Sequence, residues 1–144
     1  MKQLSSKPDF KTIETKWQKY WKKNKIYKFN PNSKKPVYSI DTPPPYASSD
    51  HLHIGHAEHY TQFEILARYR KMCGFNVYFP PCFDNNGMPT ERYVEKTHNI
   101  KNGDMSRSAF IKLCLKASKE AVSNYSDRFF NALGFSYDWD LLYT

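Results

Sequence analysis

The sequence predicts an α/β protein built on a parallel strand–helix–strand unit. Three observations carry that expectation. Two short β-prone runs, Val37-Tyr38-Ser39-Ile40-Asp41 and Phe75-Asn76-Val77-Tyr78-Phe79, are each closed by prolines. A helical period of about twenty residues separates them, long enough for a parallel crossover. Gly74 then stands where a helix that has just ended places a glycine.

Taken in order, the chain first predicts an amphipathic helix capped by Asp9. Phe10, Ile13, Trp17, Tyr20 and Trp21 fall on one face at three- and four-residue steps, opposite Lys16, Lys19, Lys22 and Lys23. The simplest expectation is that this helix docks by its aromatics and leaves its lysines in water, and an RNA-facing lysine surface is the alternative. A polar turn from Asn30 to Pro36 closes the segment, so residues 1–36 read as a helical lead-in and 37–144 as the main body. After the first strand, Pro43-Pro44-Pro45 removes three ladder donors and ends the pairing. The central helix runs from about Ile54 to Cys73, with Ala57, Tyr60, Phe63, Leu66, Ala67 and Tyr69 as its buried positions. Pro80 and Pro81 stop the second strand. A short helix over Thr90 to Lys96 and a turn over Asn99 to Gly103 follow. A long helix is expected from Arg107 to Leu133, begun by Ser106 and ended by Gly134, with the stripe Phe110, Cys114, Ala117, Ala121, Tyr125 and Phe129. The aromatic-rich segment 135–144 reads as an unfinished element.

Composition narrows the function. The 144 residues allow one domain with a real core, and 17% aromatic content argues against disorder. No run approaches the apolar length of a membrane span, and the start leads into no signal segment. Cys73, Cys82 and Cys114 form no CxxC pair, which fits a reduced, cytoplasmic interior better than a disulfide framework. A net charge of +8 favours a polyanionic partner.

In an open parallel sheet, ligands gather beyond the carboxyl ends of the strands. Two segments must meet there: Asp41 to His56 and Pro80 to Glu91. The first contains His53-Ile54-Gly55-His56. Histidines three apart at a helix start can face one side, beside unpaired backbone N–H groups and the positive end of the helix dipole, where an anion is welcome. Such a pair alone serves structure more often than chemistry, but its place behind a strand and a proline turn favours chemistry. A zinc hydrolase using His51, His53, His56, His59 and Glu58 is one rival reading. A non-catalytic nucleotide- or RNA-binding module is another.

These residues also resemble a family. Thr42-Pro43-Pro44-Pro45-Tyr46-Ala47-Ser48 followed by His53-Ile54-Gly55-His56 is similar to the first signature of class I aminoacyl-tRNA synthetases, the HIGH motif in its literal form. The run Phe83-Asp84-Asn85-Asn86-Gly87-Met88-Pro89-Thr90-Glu91 resembles a block of their branched-chain subgroup, most closely its valine branch, with an isoleucine-type enzyme the alternative. The resemblance implies the first half of a Rossmann-like catalytic domain, ending near the start of an editing insertion. It also implies an ATP-dependent ligase that activates valine, works with Mg2+ and transfers the acyl group to tRNA. By the same resemblance His53 and His56 are catalytic and, with Gly55, bind ATP, while Pro43, Pro44 and Asp84 hold the amino acid. Two departures stand out. Ser48-Ser49-Asp50-His51 replaces the usual glycine-bearing turn. The second signature, a Lys-Met-Ser-Lys-Ser loop, is not matched: Asp104-Met105-Ser106-Arg107-Ser108 is a superficial likeness that reads as a helix cap. The implied activity therefore needs a further C-terminal half, and editing against threonine, which hydrophobic discrimination alone cannot supply, lies outside these residues.

Overall fold

The protein is described by a computed structural model over residues 7–46, 52–85 and 87–144. Its centre is a parallel pair of strands, β1 (Val37–Ser39) and β2 (Asn76–Tyr78), in the register Val37↔Asn76, Tyr38↔Val77, Ser39↔Tyr78. Helix α2 (Ile54–Met72) connects them, so the expected strand–helix–strand unit is present. Both strands are shorter than the β-prone runs, yet the pairing does not stop sharply. The Ile40 amide donates to the Tyr78 carbonyl at 2.9 Å, and past the prolines the Asp84 amide donates to the Pro45 carbonyl at 2.9 Å. Prolines remove donors but keep their carbonyls, so the two chains travel side by side with a thinned ladder.

Helix α1 (Phe10–Asn24) begins at Asp9, whose carboxylate accepts from the Thr12 amide and hydroxyl. Its expected docking is corrected by the structure. No residue of α1 is buried, and Phe10, Trp17 and Tyr20 are 68%, 43% and 50% exposed. The helix is anchored instead by two side chains at the edge of that face. Trp21 lies under the Arg68 guanidinium, 5.1 Å from its ring centre, and Gln18 donates to the Ala132 carbonyl.

Helix α2 ends as expected, with Gly74 at φ +89 and its amide bonded to the Lys71 carbonyl. Its inner face differs in two positions. Tyr69 is 58% exposed, and Glu64, five residues earlier, is only 7% exposed. Glu64 tolerates that burial because its acceptors are satisfied: one oxygen pairs with Arg68, the other accepts from the Ser136 amide and hydroxyl, each at 2.8 Å. Arg68 also donates to the Gly134 carbonyl. Gly134, at φ +72, lets the Trp21 ring approach, since a Cβ there would sit 3.3 Å from it. One acid–base pair thus joins α1, α2 and the C-terminal segment.

Helix α3 (Met88–His98) is longer than expected at both ends, starting at Gly87 with Pro89 in its first turn. Ser106 does cap helix α4 (Arg107–Asn124), accepting from the Ala109 amide. The long helix, however, does not run on to Leu133. It widens into a π-helical turn over Tyr125–Phe130, closed by the Asn131 amide on the Ser126 carbonyl. The wider turn lets both Tyr125 and Phe130 enter the main core with Tyr60, Phe79, Phe83, Phe135 and Tyr137. A smaller core under α3 and α4 contains Val94, Phe110 and Ala117. Segment 135–143 is firmly tied in. Residues 135–138 are buried, the Asp138 amide donates to the Phe79 carbonyl, and Tyr143 exchanges backbone bonds with Pro81 and Phe83. It forms a thin third strip along the second chain.

Candidate active site

The prolines that end the strands shape the rim. Residues 41–46 and 82–84 lie together: Cys82 Sγ donates to the Thr42 carbonyl at 3.2 Å, Asp84 pairs with Tyr46 in a parallel bridge, and its amide holds Pro45. Pro43 and Pro44 are exposed on this lip, whereas Pro45 is buried. The expected turn at 48–51, including His51, and Asn86 lie outside the described residues.

Helix α2 opens beside the lip with a cap made of two histidines. His53 is the N-cap, in extended conformation, and its Nδ1 accepts from the Gly55 amide at 2.9 Å. In return His56 Nδ1 accepts from the His53 amide at 3.2 Å. Histidine is not a favoured N-cap, but here two rings perform the reciprocal capping ordinarily done by a hydroxyl and a carboxylate. The consequence is chemical. A ring whose Nδ1 accepts a hydrogen bond carries its proton on Nε2 when neutral, so both imidazoles keep one N–H donor for another partner. Both rings are exposed, next to backbone donors at the helix's positive end. Gly55 suits the same geometry: a Cβ there would stand 3.1 Å from His53 Nδ1, a contact tight enough to push on the capping ring.

Tyr60, missed as a site residue by sequence reasoning, links this cap to the lip. Its ring is stacked against His56, with centroids 6.2 Å apart and planes 16° from parallel. Its hydroxyl donates to the Pro43 carbonyl at 2.7 Å. Burial pushes the phenol well above its ordinary range, so it remains a donor at every physiological pH. The available signal was its position four residues after His56, on the same helical face. Two further tyrosines brace the lip. Tyr125 donates to the Tyr46 carbonyl, and Tyr143 to Asp41 Oδ1 at 2.8 Å, a bond that raises the Tyr143 phenol. The structure thus connects His56 to Pro43 through Tyr60, and Pro45 to Asp84 through a backbone bond.

Among the described residues, no three His, Cys, Asp or Glu side chains are grouped as a metal ion would require. His53 and His56 turn their Nδ1 atoms inward to the backbone.

A parallel crossover helix that opens on paired imidazoles behind a proline lip is a class I synthetase arrangement, and the chain belongs to that family. The family model described as tRNA synthetases class I (I, L, M and V) matches residues 16–144. Within it, valine–tRNA ligases are among the curated proteins similar to this chain. That of Rickettsia felis is 44% identical over 147 aligned residues, covering 99% of this chain and 16% of that protein. That of Methanocaldococcus jannaschii is 47% identical over 131, covering 91% and 15%. Among solved structures, the Agrobacterium radiobacter K84 agnB2 LeuRS in its LeuRS–tRNA–LeuAMS ternary complex superposes with a TM-score of 0.79 at 26% identity, covering 95% of this chain and 16% of that one. The chain thus spans about a sixth of the length of these relatives.

Proposed function

We propose that this chain is the HIGH-bearing first half of the catalytic domain of a valine–tRNA ligase, acting in the cytoplasm. Residues 1–36 form its helical lead-in and 37–144 the nucleotide-binding half. The observation that carries the reading is the reciprocal histidine cap, which gives the helix start two outward N–H donors. The valine relatives at 44% and 47% identity favour valine over isoleucine.

In the proposed reaction, a valine carboxylate oxygen attacks the α-phosphorus of ATP. The bond to the bridging oxygen breaks and pyrophosphate leaves. A ribose hydroxyl of tRNA then attacks the acyl carbon of the adenylate and AMP departs. The first step needs positioning and charge stabilisation more than covalent chemistry. His53 and His56 supply donors to phosphate oxygens as negative charge builds, an effect strengthened by the helix dipole. Gly55 leaves the backbone open to the flat face of adenine. Asp84 holds the substrate ammonium, a charge-assisted contact, and Pro43 and Pro44 shape the wall against its side chain. The described residues offer no cage for Mg2+, so the ion would be held chiefly by the phosphates of ATP.

Pyrophosphate exchange tests the proposal, with valine, isoleucine, leucine and threonine offered in turn, alone and with the C-terminal part of a relative supplied. Valine-dependent exchange is expected only with that part present. Preference for isoleucine would remove the valine assignment. No exchange despite tight assembly would leave a nucleotide-binding remnant.

A further inference from the structure

Helix α1 carries a stripe that the fold leaves open. Phe10, Ile13, Trp17 and Tyr20 recur at three- and four-residue steps, so they share one line along the helix, about 15 Å long at about 1.5 Å per residue. All four are exposed. Trp17 and Tyr20 meet edge to face at 5.6 Å, and the Lys16 ammonium lies 5.4 Å over the Trp17 ring. The neighbouring stripe, Gln18 and Trp21, holds the helix to the body. Exposed lysines stand on both sides of the open stripe, Lys16 and Lys23 close on one flank, Lys11 and Lys22 further round on the other. Residues 7–28 hold eight lysines against Asp9 and Glu14, so this segment carries six of the eight net positive charges of the whole sequence.

We infer that α1 is a docking surface for an anionic phospholipid bilayer, with the helix lying flat among the headgroups and its aromatic stripe turned into the acyl boundary. Three features select that partner. The stripe is a convex ridge, and its residues are of the kinds that settle at a membrane interface, an indole and a phenol beside Phe10 and Ile13. The lysines complement acidic headgroups, and their long stems let the ammonium groups reach the phosphates while the ridge goes deeper. The helix is also complete before any lipid is met. Asp9 caps its start and the Lys25 amide closes its end on the Lys22 and Trp21 carbonyls, so little ordering accompanies binding. A second copy of the chain is disfavoured, because two such faces would oppose lysines to lysines. A protein groove that wraps a basic helix is disfavoured too. Gln18 and Trp21 keep one side of α1 against the body, which leaves access for a flat partner. The inference is independent of the ligase reading, since it uses no residue of the histidine cap or the proline lip.

The test is flotation of the 144-residue chain with vesicles of phosphatidylcholine alone and of phosphatidylcholine carrying about a third phosphatidylserine, at low and high salt. Every side chain to be substituted is exposed, and circular dichroism of each variant checks folding. The chain should float only with the acidic vesicles and leave them in high salt. Trp17→Ala should lower the partition coefficient about ten-fold through lost apolar burial, with the salt dependence retained. K16Q/K23Q should lower it about ten-fold and weaken the salt dependence, whereas K112Q/K119Q, an equal loss of charge on α4, should change it by less than about two-fold. Equal binding to the neutral vesicles, indifference to both α1 variants, or an equal loss with the α4 pair would overturn the assignment. So would release from the vesicles when the C-terminal part of a relative is added, which would make a downstream segment the occupant of this face. A self-association abolished by Trp17→Ala in a chain that binds no vesicle would overturn it in favour of a second copy.

Discussion

Helices α1 and α2 are both aromatic-rich and lysine-bearing, and both begin with a side-chain cap, but they spend those features differently. α1 starts on Asp9, an ordinary cap, and keeps Phe10, Trp17 and Tyr20 largely in water. α2 starts on two histidines, an uncommon cap, and buries Tyr60, Glu64 and Ala67 along its inner face. An aspartate would satisfy the same free amides of α2 without presenting an N–H donor. In the proposed reading the two rings at the start of α2 serve twice, Nδ1 capping the helix and the Nε2 N–H facing substrate. At α1 the cap is only a cap, and most of its aromatic face stays open.

The contrast is most sharply tested at His56. With a C-terminal part supplied, His56→Ala should lower pyrophosphate exchange by about 10²–10³-fold, the scale of losing one preorganised donor at a developing charge. Loss of its half of the cap should cost only about 1 kcal/mol in urea unfolding. Equal losses in both would make the ring structural and erase the difference between the two helix starts. Glu64→Leu is the next largest change. It leaves the Ser136 amide and hydroxyl without their buried acceptor, and about 2–3 kcal/mol of stability should go with it. Glu64→Gln, which keeps one acceptor oxygen, should lose less.

Those two residues show how far the sequence could be read. His53, Gly55 and His56 were visible because their order after a strand and a proline run is distinctive. The strands and α2 were visible from their periods and from Gly74. Glu64 was hidden because a charged residue at an inward position looks like a break in the apolar pattern, and although Arg68 is four residues on, the groups that satisfy its second oxygen lie 72 residues away at Ser136. The π-helical turn was hidden because Tyr125, Phe129 and Phe130 fit an ordinary helical stripe as well as a wider one. The docking of α1 was misjudged because an aromatic face signals burial only when something is present to cover it, a property of tertiary geometry.

Smaller effects sharpen the comparison from the α1 side. Asp9→Ala should lower the melting temperature less than Glu64→Leu does and leave exchange unchanged, since that cap faces no candidate substrate. Finally, Lys28 and Asp140 pair at 2.7 Å across the gap between the end of the α1 region and the C-terminal segment. The ammonium holds the Asp140 carboxyl below its ordinary value of 3.8, so the pair stabilises the fold above that pH and ceases to as pH falls through the lowered value. The Lys28 ammonium is itself raised above 10.5 by Asp140, so the same contribution persists below that pH and disappears as alkalinity passes the raised value. Stability curves of Lys28→Met and the parent chain should separate slightly at neutral pH and converge at strongly acid pH, more weakly so in high salt.

The single hydroxyl of Tyr60 has a mechanical meaning. It grips the Pro43 carbonyl while its ring stacks against His56, so the proline lip and the histidine cap are tied to one side chain. Whatever presses on the prolines is transmitted, through one rigid six-membered ring, to the imidazole on the far side. Tyr60→Phe would keep the ring beside His56 and cut that link to Pro43.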